Sequence, residues 1–162
     1  MKTKQRTFLL ALTFLFLFSG SSVVFGDDFQ DGWDAYQKQD YKTAYKLIAP
    51  LAEQGNASAQ NYLGFMYHKG LGVLQDYKEA VTLYRLAAEQ GNAPAQNKLG
   101  IMYAEGTGVP QDYTLAHMWW NIGASSGHKG CVRNRKKVEK KMTKQQIEEA
   151  QRLARNWKPT KK

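Results

Sequence analysis

Two consecutive 36-residue segments of this chain are close copies of one another. Residues 52–87 read AEQGNASAQNYLGFMYHKGLGVLQDYKEAVTLYRLA, and residues 88–123 read AEQGNAPAQNKLGIMYAEGTGVPQDYTLAHMWWNIG. The two segments agree at 20 of 36 positions without a gap. A period of this length is typical of repeat proteins, in which each unit stacks on its neighbours. The repeat therefore predicts a stack of similar units.

The pattern inside each repeat predicts two helices, A and B, separated by a glycine-containing turn. Apolar residues of helix A recur on one face of a 3.6-residue period, at Ala59, Leu63, Met66 and Tyr67 and again at Ala95, Leu99, Met102 and Tyr103. Asp76 and Asp112 are suited to cap helix B, because an Asp side chain accepts hydrogen bonds from first-turn N–H groups. Gly64 and Gly100 lie inside helix A, where glycine costs about 1 kcal/mol relative to alanine. Their presence in both copies indicates close contact with another helix.

The period continues outward into two divergent units. In the last unit, Thr143 and Gln146 have the spacing of a capping box and predict a helix whose Trp157 closes the core. Divergent ends are expected in a repeat array, because the outer faces meet water. The sequence predicts a signal peptide over residues 1–26, a partial unit over 27–51 and two full repeats over 52–87 and 88–123. A degenerate capping unit over 124–158 and a tail over 159–162 follow.

The first 26 residues have the order of a secretory signal peptide. Lys2, Lys4 and Arg6 precede an apolar run over 7–18, and small residues lead to a plausible cleavage site after Gly26. The apolar run has 12 residues, whereas about 20 are needed to span a bilayer. We therefore expect cleavage, a periplasmic or secreted mature protein, and membrane contact only through the signal segment before it is removed.

The repeat motif AEQGNAxAQxxLGxMYxxGxGVxQDYxxA stands at 52–80 and again at 88–116. It resembles the Sel-one-like repeat (SLR) family, a relative of the tetratricopeptide repeat (TPR). The resemblance implies an all-α fold, a short right-handed α-solenoid of antiparallel helix pairs with its concave face lined by the A helices. It also implies a non-catalytic adaptor or docking role, often in bacterial secreted or periplasmic proteins.

Comparison of the two copies identifies a candidate binding face. Positions at which the helix A copies differ fall at steps of three and four and form one stripe beside the invariant one. The candidate residues for binding an unidentified protein or peptide are Tyr62, Phe65, Lys69, Lys98, Ile101 and Glu105. The alternative is that this stripe simply faces solvent and varies freely. Phe65 and Ile101 favour binding, because drift toward solvent usually yields polar residues.

A second candidate surface is basic. Residues 27–128 carry 7 Lys/Arg and 11 Asp/Glu, whereas residues 129–162 carry 13 and 3. The candidate residues of this surface are Arg133, Arg135, Lys136, Lys137, Lys140 and Lys141. They predict, as an alternative function, adhesion to anionic envelope polymers or headgroups, while the simpler interpretation is a solvated helix face. Nucleic acid is disfavoured, since exported proteins rarely meet it and no aromatic residues interleave the cluster.

No pattern in the sequence indicates chemistry. The three histidines, His68, His117 and His128, lack metal-ligand spacing. Cys131 takes the place of Ala59 and Ala95 in the repeat and is therefore expected to be a small buried residue, with an intermolecular disulfide as the remaining option. We predict no enzyme activity, metal or cofactor and a monomer; a small-molecule hydrolase, the third hypothesis, would need a pocket with paired titrating groups.

The adjacent residues Trp119 and Trp120 face different directions on a helix. We expect one of them to pack in the core and the other to be partly exposed.

Overall fold

The computed structural model describes residues 25–160, and this part of the chain forms eight helices and no strand. The helices are α1 (Phe25–Gln37), α2 (Tyr41–Glu53), α3 (Ala57–Lys69), α4 (Tyr77–Glu89), α5 (Ala93–Glu105), α6 (Tyr113–Ser125), α7 (Lys129–Glu139) and α8 (Lys144–Asn156). Residues 1–24, nearly all of the predicted signal peptide, lie outside the described residues. Within 25–160, no helix has the length and apolar character needed to cross a bilayer.

Each helix from α1 to α6 packs against the helix that follows it along the chain. The pairs α1–α2, α3–α4 and α5–α6 form hairpins, and each hairpin contacts the next through its second helix. We call α1, α3, α5 and α7 the A helices and α2, α4, α6 and α8 the B helices. The predicted α-solenoid of helix pairs is confirmed, and each repeat begins at an A helix.

The helix boundaries follow from the predicted capping residues. Asp76 accepts hydrogen bonds from the backbone N–H groups of Lys78 and Glu79, and Asp112 accepts one from Leu115. The A helices begin instead after Asn56, Asn92 and His128, whose side chains each accept a hydrogen bond from the third residue of the helix. The capping box of Thr143 and Gln146 forms at the start of α8. These caps satisfy N–H groups that a helix leaves without intrahelical partners.

The glycines inside the A helices mark the closest approach within each hairpin. A Cβ at Gly64 would lie 3.0 Å from the Tyr84 ring, and a Cβ at Gly100 would lie 2.5 Å from Nε1 of Trp120. Both aromatic residues are almost fully buried. The predicted close helix contact is confirmed, because a side chain at Gly100 would overlap the Trp120 ring and one at Gly64 would crowd the Tyr84 ring.

The last unit departs from the repeated arrangement. Helix α8 packs against α6 rather than against its own partner α7. As a result α8 covers the outer side of α6, and the rings of Trp119 and Trp157 meet edge to face at 6.3 Å between centroids. Trp157 closes the core as predicted. The prediction that one residue of the Trp119–Trp120 pair is partly exposed is wrong, since they are only 6% and 4% exposed.

Beyond α8 the chain returns toward an earlier repeat. The backbone N–H of Thr160 donates to the carbonyl oxygen of Glu89 at 2.8 Å, and its hydroxyl donates to the same oxygen at 3.0 Å. Glu89 is the last residue of α4. The C-terminal segment therefore connects the capping helix to the second hairpin.

Candidate functional site

The A helices form one continuous face, held by contacts between neighbouring A helices. Trp33 of α1 contacts Tyr62 of α3. Lys98 of α5 lies over the Phe65 ring of α3, with Nζ 5.4 Å from the ring centroid. We call this surface the A-helix face. It contains two pockets, one at the α1–α3 end and one between α5 and α7.

The first pocket, called the aromatic pocket, has a volume of about 230 Å³. It is lined by Trp33, Tyr36, Asn61, Tyr62, Phe65 and Lys98. Its rings support one another: Trp33 stacks on Tyr36 with centroids 5.2 Å apart and meets Tyr62 at 4.9 Å. These contacts fix the rings in place, since offset and tilted aromatic pairs add to the stability gained by burial. Tyr62 therefore does not project freely into solvent.

An unpaired hydrogen-bond acceptor lies beside this pocket. The Oδ1 atom of Asn61 is buried and has no hydrogen-bond partner among residues 25–160. Asn97 occupies the same position one repeat later, and its Oδ1 accepts from Nδ2 of Asn134 at 3.0 Å. The same residue is thus satisfied in one repeat and unsatisfied in the other. A buried acceptor without a donor costs about 1–3 kcal/mol. A ligand N–H would recover this energy after the Asn61 amide rotates toward the pocket that this residue lines.

The second pocket, called the basic pocket, has a volume of about 340 Å³. It is lined by Ile101, Ala104, Glu105, Tyr113, Trp120, Asn134, Lys137, Val138 and Lys141. Its floor is largely apolar, while Lys137 of α7 and Lys141, in the turn that follows α7, contribute its positive charges. The Nζ atom of Lys141 lies 5.6 Å from the centroid of the Tyr113 ring, a cation–π distance. Neither lysine forms an ion pair with another described residue.

The two candidate sets predicted from the sequence meet at the basic pocket. Ile101 and Glu105 belong to the predicted protein-binding stripe, whereas Lys137 and Lys141 belong to the predicted polyanion-binding set. From the protein-binding stripe, Tyr62, Phe65 and Lys98 lie together in the aromatic pocket. Lys69 is exposed at the end of α3 and lines neither pocket. The stripe is therefore divided between two pockets of different chemistry.

Cations on α7 and just after it also line a second surface, which shares Lys137 with the basic pocket. A shallow pocket on the outer side of α7 is lined by Lys129, Val132, Arg133, Lys136, Lys137 and Lys140. We call this surface the outer basic row. Arg135 does not belong to it, because its guanidinium donates to Oδ1 of Asn121 and lies 3.7 Å from the Glu139 carboxylate. Arg135 thus serves the contact between α6 and α7.

Sequence reasoning missed three residues of the aromatic pocket: Trp33, Tyr36 and Asn61. Trp33 and Tyr36 are spaced to lie on one side of the opening helix, and their aromatic character was the available signal. Asn61 gave no signal, because it is identical to Asn97 in the next copy and therefore resembled a packing residue. Its distinct role depends on which helix lies beside it.

One titrating pair is present that the sequence pattern did not reveal. The Nε2 atom of His117 lies 3.0 Å from Oε1 of Glu139, and the His117 side chain is 0% exposed. Burial lowers the pKa of His117, while the hydrogen bond to Glu139 opposes this effect. The neutral ring therefore donates from Nε2, and its buried Nδ1 has no partner among the described residues. Neither residue lines the two pockets of the A-helix face, so this pair joins α6 to α7 away from them.

The remaining histidines and the cysteine occupy structural positions. His68 is half-buried, and its ring meets the Tyr77 ring edge to face at 5.6 Å between centroids. Cys131 is fully buried, as predicted, and burial raises the pKa of its thiol to about 12. No group of three or more His, Cys, Asp or Glu residues within 25–160 is arranged to hold a metal ion.

Comparison with known proteins identifies the repeat. A family profile described as Sel1 repeat matches residues 29–56, 57–92 and 93–128, more than half of the chain. The chain belongs to the Sel1 repeat family. The three Sel1 units coincide with the hairpins α1–α2, α3–α4 and α5–α6. The second and third units begin five residues after the repeat boundaries predicted from the sequence, and the first begins two residues after. A search of curated protein sequences found no significant match.

Two solved structures show the same Sel1 architecture. One is c5321, a protective antigen present in uropathogenic Escherichia coli strains that displays an SLR fold; it has a TM-score of 0.79, 30% identity and coverage of 82% of this chain. The other is a Sel1 repeat protein from Oxalobacter formigenes, with a TM-score of 0.66, 31% identity and 80% coverage. This chain spans 29% and 56% of the lengths of those two proteins. Sel1 repeats generally mediate protein–protein interaction, and their fold is typically a non-enzymatic scaffold.

Proposed function

We propose that this Sel1 repeat protein is a non-catalytic docking module that binds a partner protein on its A-helix face. The signal-peptide pattern of residues 1–26 supports a location in the periplasm or outside the cell. The location and the docking role are independent proposals, because the pockets do not depend on the signal segment.

The observation that carries the docking proposal is the unpaired Oδ1 of Asn61 beside the aromatic pocket. Free variation on a water-facing stripe would leave exposed polar side chains, whereas Tyr62 and Phe65 are half-buried within an aromatic cluster. Large aromatic groups beside an unsatisfied acceptor are suited to a protein partner, since aromatic residues are enriched where interfaces have their strongest contacts. The aromatic pocket thus offers both apolar area and one directional hydrogen bond.

The size of the aromatic pocket and the openness of both pockets favour a macromolecular partner over a small-molecule substrate. Small-molecule sites have volumes of roughly 300–1,000 Å³ and enclose most of their ligand. The aromatic pocket is smaller, at about 230 Å³, and both pockets are open along the A-helix face. A partner that spans this face would place single side chains in each pocket.

Site-specific photo-crosslinking in the producing cells tests the proposal. A photoreactive amino acid would replace Lys69 or Glu105, both exposed at the A-helix face, or Thr82, which is exposed on the B helix α4. We expect adducts from the first two positions and none from Thr82. Phe65→Ser should remove the adducts, while Leu74→Ser, a matched change at a residue that is 91% exposed, should leave them intact.

Two results would contradict docking on the A-helix face. One is an absence of protein adducts at Lys69 and Glu105 under conditions in which the photoreactive group is shown to be active. The other is equal adduct formation in the Phe65→Ser and wild-type proteins, after circular dichroism has shown that both are folded.

The outer basic row supports a second candidate function, adhesion to an anionic envelope polymer or headgroup. Five of the six residues that line its pocket are cationic, and none is acidic. Vesicles that contain phosphatidylglycerol would serve as the probe. Binding should decline steeply as salt rises, and Lys136→Gln with Lys140→Gln should weaken it. Binding that persists at 1 M salt would exclude this electrostatic mechanism.

A further inference from the structure

The two pockets of the A-helix face both include residues of α5. Lys98 lines the aromatic pocket, and Ile101, three residues later and on the same side of the helix, lines the basic pocket. A single ligand lying across the A helices would therefore contact aromatic rings at its α1 end and lysines at its α7 end. This arrangement constrains the chemistry of the ligand along its length.

The basic pocket carries an uncompensated positive charge. Its lining includes two lysines and one carboxylate, Glu105 on the α5 side, and Lys137 and Lys141 form no ion pair with any residue in 25–160. The apolar floor, which includes Trp120 and Val138, excludes part of the surrounding water and strengthens electrostatic attraction there. A carboxylate entering this pocket would meet the ammonium groups of both lysines.

We propose that the A-helix face binds an extended acidic peptide segment of a partner protein. A large apolar or aromatic side chain of that segment occupies the aromatic pocket, and a backbone N–H donates to Oδ1 of Asn61. An Asp or Glu side chain of the same segment lies between Lys137 and Lys141. This inference rests on the proposed docking function and specifies the partner that the face accepts.

The spacing of the helices gives the spacing within the peptide. Packed neighbouring helices lie about 8–10 Å apart, and the pockets are separated by roughly two such steps, from the α1–α3 end to the α5–α7 end. An extended chain advances about 3.3 Å per residue. The apolar residue and the acidic residue should therefore be separated by about five or six positions.

A flexible polyanion fits this surface less well than an acidic peptide. Such a polymer would engage the outer basic row, which has more cations, no acid in its lining and no need for an apolar group. The basic pocket combines a carboxylate with an apolar floor, and the aromatic pocket offers an acceptor rather than a donor. Peptide backbone supplies the N–H group that Asn61 requires.

Selection from a library of displayed random dodecapeptides tests the inference. The bait is the mature protein, purified from cells that have expressed and processed the full chain. We expect the selected peptides to combine a Trp, Phe, Tyr or Leu with an Asp or Glu about five or six positions away. A synthetic, fluorescently labelled peptide from this set would then be compared by anisotropy with its counterpart in which Asp and Glu are replaced by Asn and Gln.

Matched charge variants locate the acidic contact. Lys137→Gln with Lys141→Gln should weaken binding of the acidic peptide at least about tenfold and leave its amide counterpart unchanged. Lys136→Gln with Lys140→Gln removes the same charge from the outer basic row and should change the affinity less than about twofold. Asn61→Leu, which removes the acceptor at a similar side-chain size, should weaken binding of the acidic peptide and of its amide counterpart alike, because the backbone hydrogen bond does not depend on the charge of the peptide.

Three outcomes would overturn the inference. Selected peptides that show apolar but no acidic preference would leave docking intact and exclude the carboxylate contact. Equal loss of binding in the two lysine pairs would show attraction by net charge alone. If the selection yields no binding peptide, the extended-peptide partner is excluded, and the crosslinking experiment then decides separately whether the A-helix face docks a folded protein.

Discussion

The indole Nε1 of Trp120 donates a hydrogen bond to the backbone carbonyl oxygen of Asn97 at 3.1 Å. One repeat earlier Tyr84 packs against Gly64 as Trp120 packs against Gly100, but its buried hydroxyl has no partner among the described residues. At this helix contact, the polar atom of the aromatic side chain is therefore hydrogen-bonded in the second full repeat and unpaired in the first. Burial without a partner also raises the pKa of Tyr84 well above its ordinary value.

This difference predicts opposite effects of removing the polar atom. Tyr84→Phe should leave the free energy of unfolding unchanged or raise it by about 0.5–1 kcal/mol, because an unpaired buried hydroxyl is lost. Trp120→Phe should lower it by roughly 2 kcal/mol or more, because a hydrogen bond and buried volume disappear together. Urea unfolding followed by circular dichroism measures both. A loss above about 1 kcal/mol for Tyr84→Phe would indicate that its hydroxyl binds a partner such as water.

The two glycines of the A helices should differ in their tolerance of alanine. Alanine gains about 1 kcal/mol of helix propensity, but at Gly100 its Cβ would lie 2.5 Å from Trp120, and such overpacking costs about 1–3 kcal/mol. We expect Gly100→Ala to be destabilising and Gly64→Ala to lie within about 1 kcal/mol of wild type. Repeating Gly100→Ala in a Trp120→Tyr background is the control. The cost should fall there, and an unchanged cost would show that the ring is not its cause.

Cys131 should be chemically inert in the native protein. Its thiol is fully buried beside Gly123, its pKa is raised to about 12, and only the thiolate is nucleophilic. At pH 8 we expect an aromatic disulfide reagent to react at least roughly a hundredfold more slowly with the folded protein than with the unfolded protein. Rapid native reaction, or a disulfide-linked dimer on non-reducing electrophoresis, would show that this thiol reaches solvent.

Stability should decline with acid as the buried histidine becomes protonated in the unfolded chain. Burial lowers the pKa of His117 from 6.5 in the folded state, although Glu139 partly opposes the shift and Arg135 adds to it. The unfolded chain therefore binds more protons below about pH 6.5, and the free energy of unfolding falls as pH decreases through that range. His117→Gln should flatten the profile measured by urea unfolding between pH 7.5 and 5.5.

His68 provides the control for this pH dependence. Its pKa is also lowered, mainly by burial and additionally by Lys69 and Lys98. His68→Gln should remove a separate part of the dependence of the free energy of unfolding on pH. The variant that carries both His68→Gln and His117→Gln should remove both parts. A profile that is unchanged by His117→Gln would mean that the contact with Glu139 compensates fully for burial.

The regular part of this fold was predictable because each local signal recurs with the same 36-residue period. Asp76 and Asp112 begin B helices, and the internal glycines meet aromatic rings. The position of α8 was not predictable, because it depends on an apolar surface formed only after α6 has packed. For that reason the burial of both Trp119 and Trp120 could not be read from the helical period.

Comparison of the two repeats located part of the candidate site and obscured the rest. Tyr62, Phe65 and Lys98 vary between the copies and share one pocket. Asn61 and Asn97 are identical between the copies, yet Asn134 of the degenerate unit gives only Asn97 a partner. Identity between repeats therefore does not imply identical function when the neighbouring helices differ. The convergence of Lys137 and Lys141 on one pocket likewise depends on how α7 and the turn after it pack against α5.

The hydrogen bonds from Thr160 to Glu89 bear on how such an array could change in length. A further repeat joined after residue 160 would have to stack on an end where α8 already lies across α6 and the chain runs back toward α4. A 36-residue insertion between Asn92 and Ala93 would add one hairpin in the middle of the array. The first hairpin and the closing helix would each still pack against the same kind of unit as before. On the C-terminal side, the array therefore has room for a further repeat ahead of its closing helix rather than beyond it.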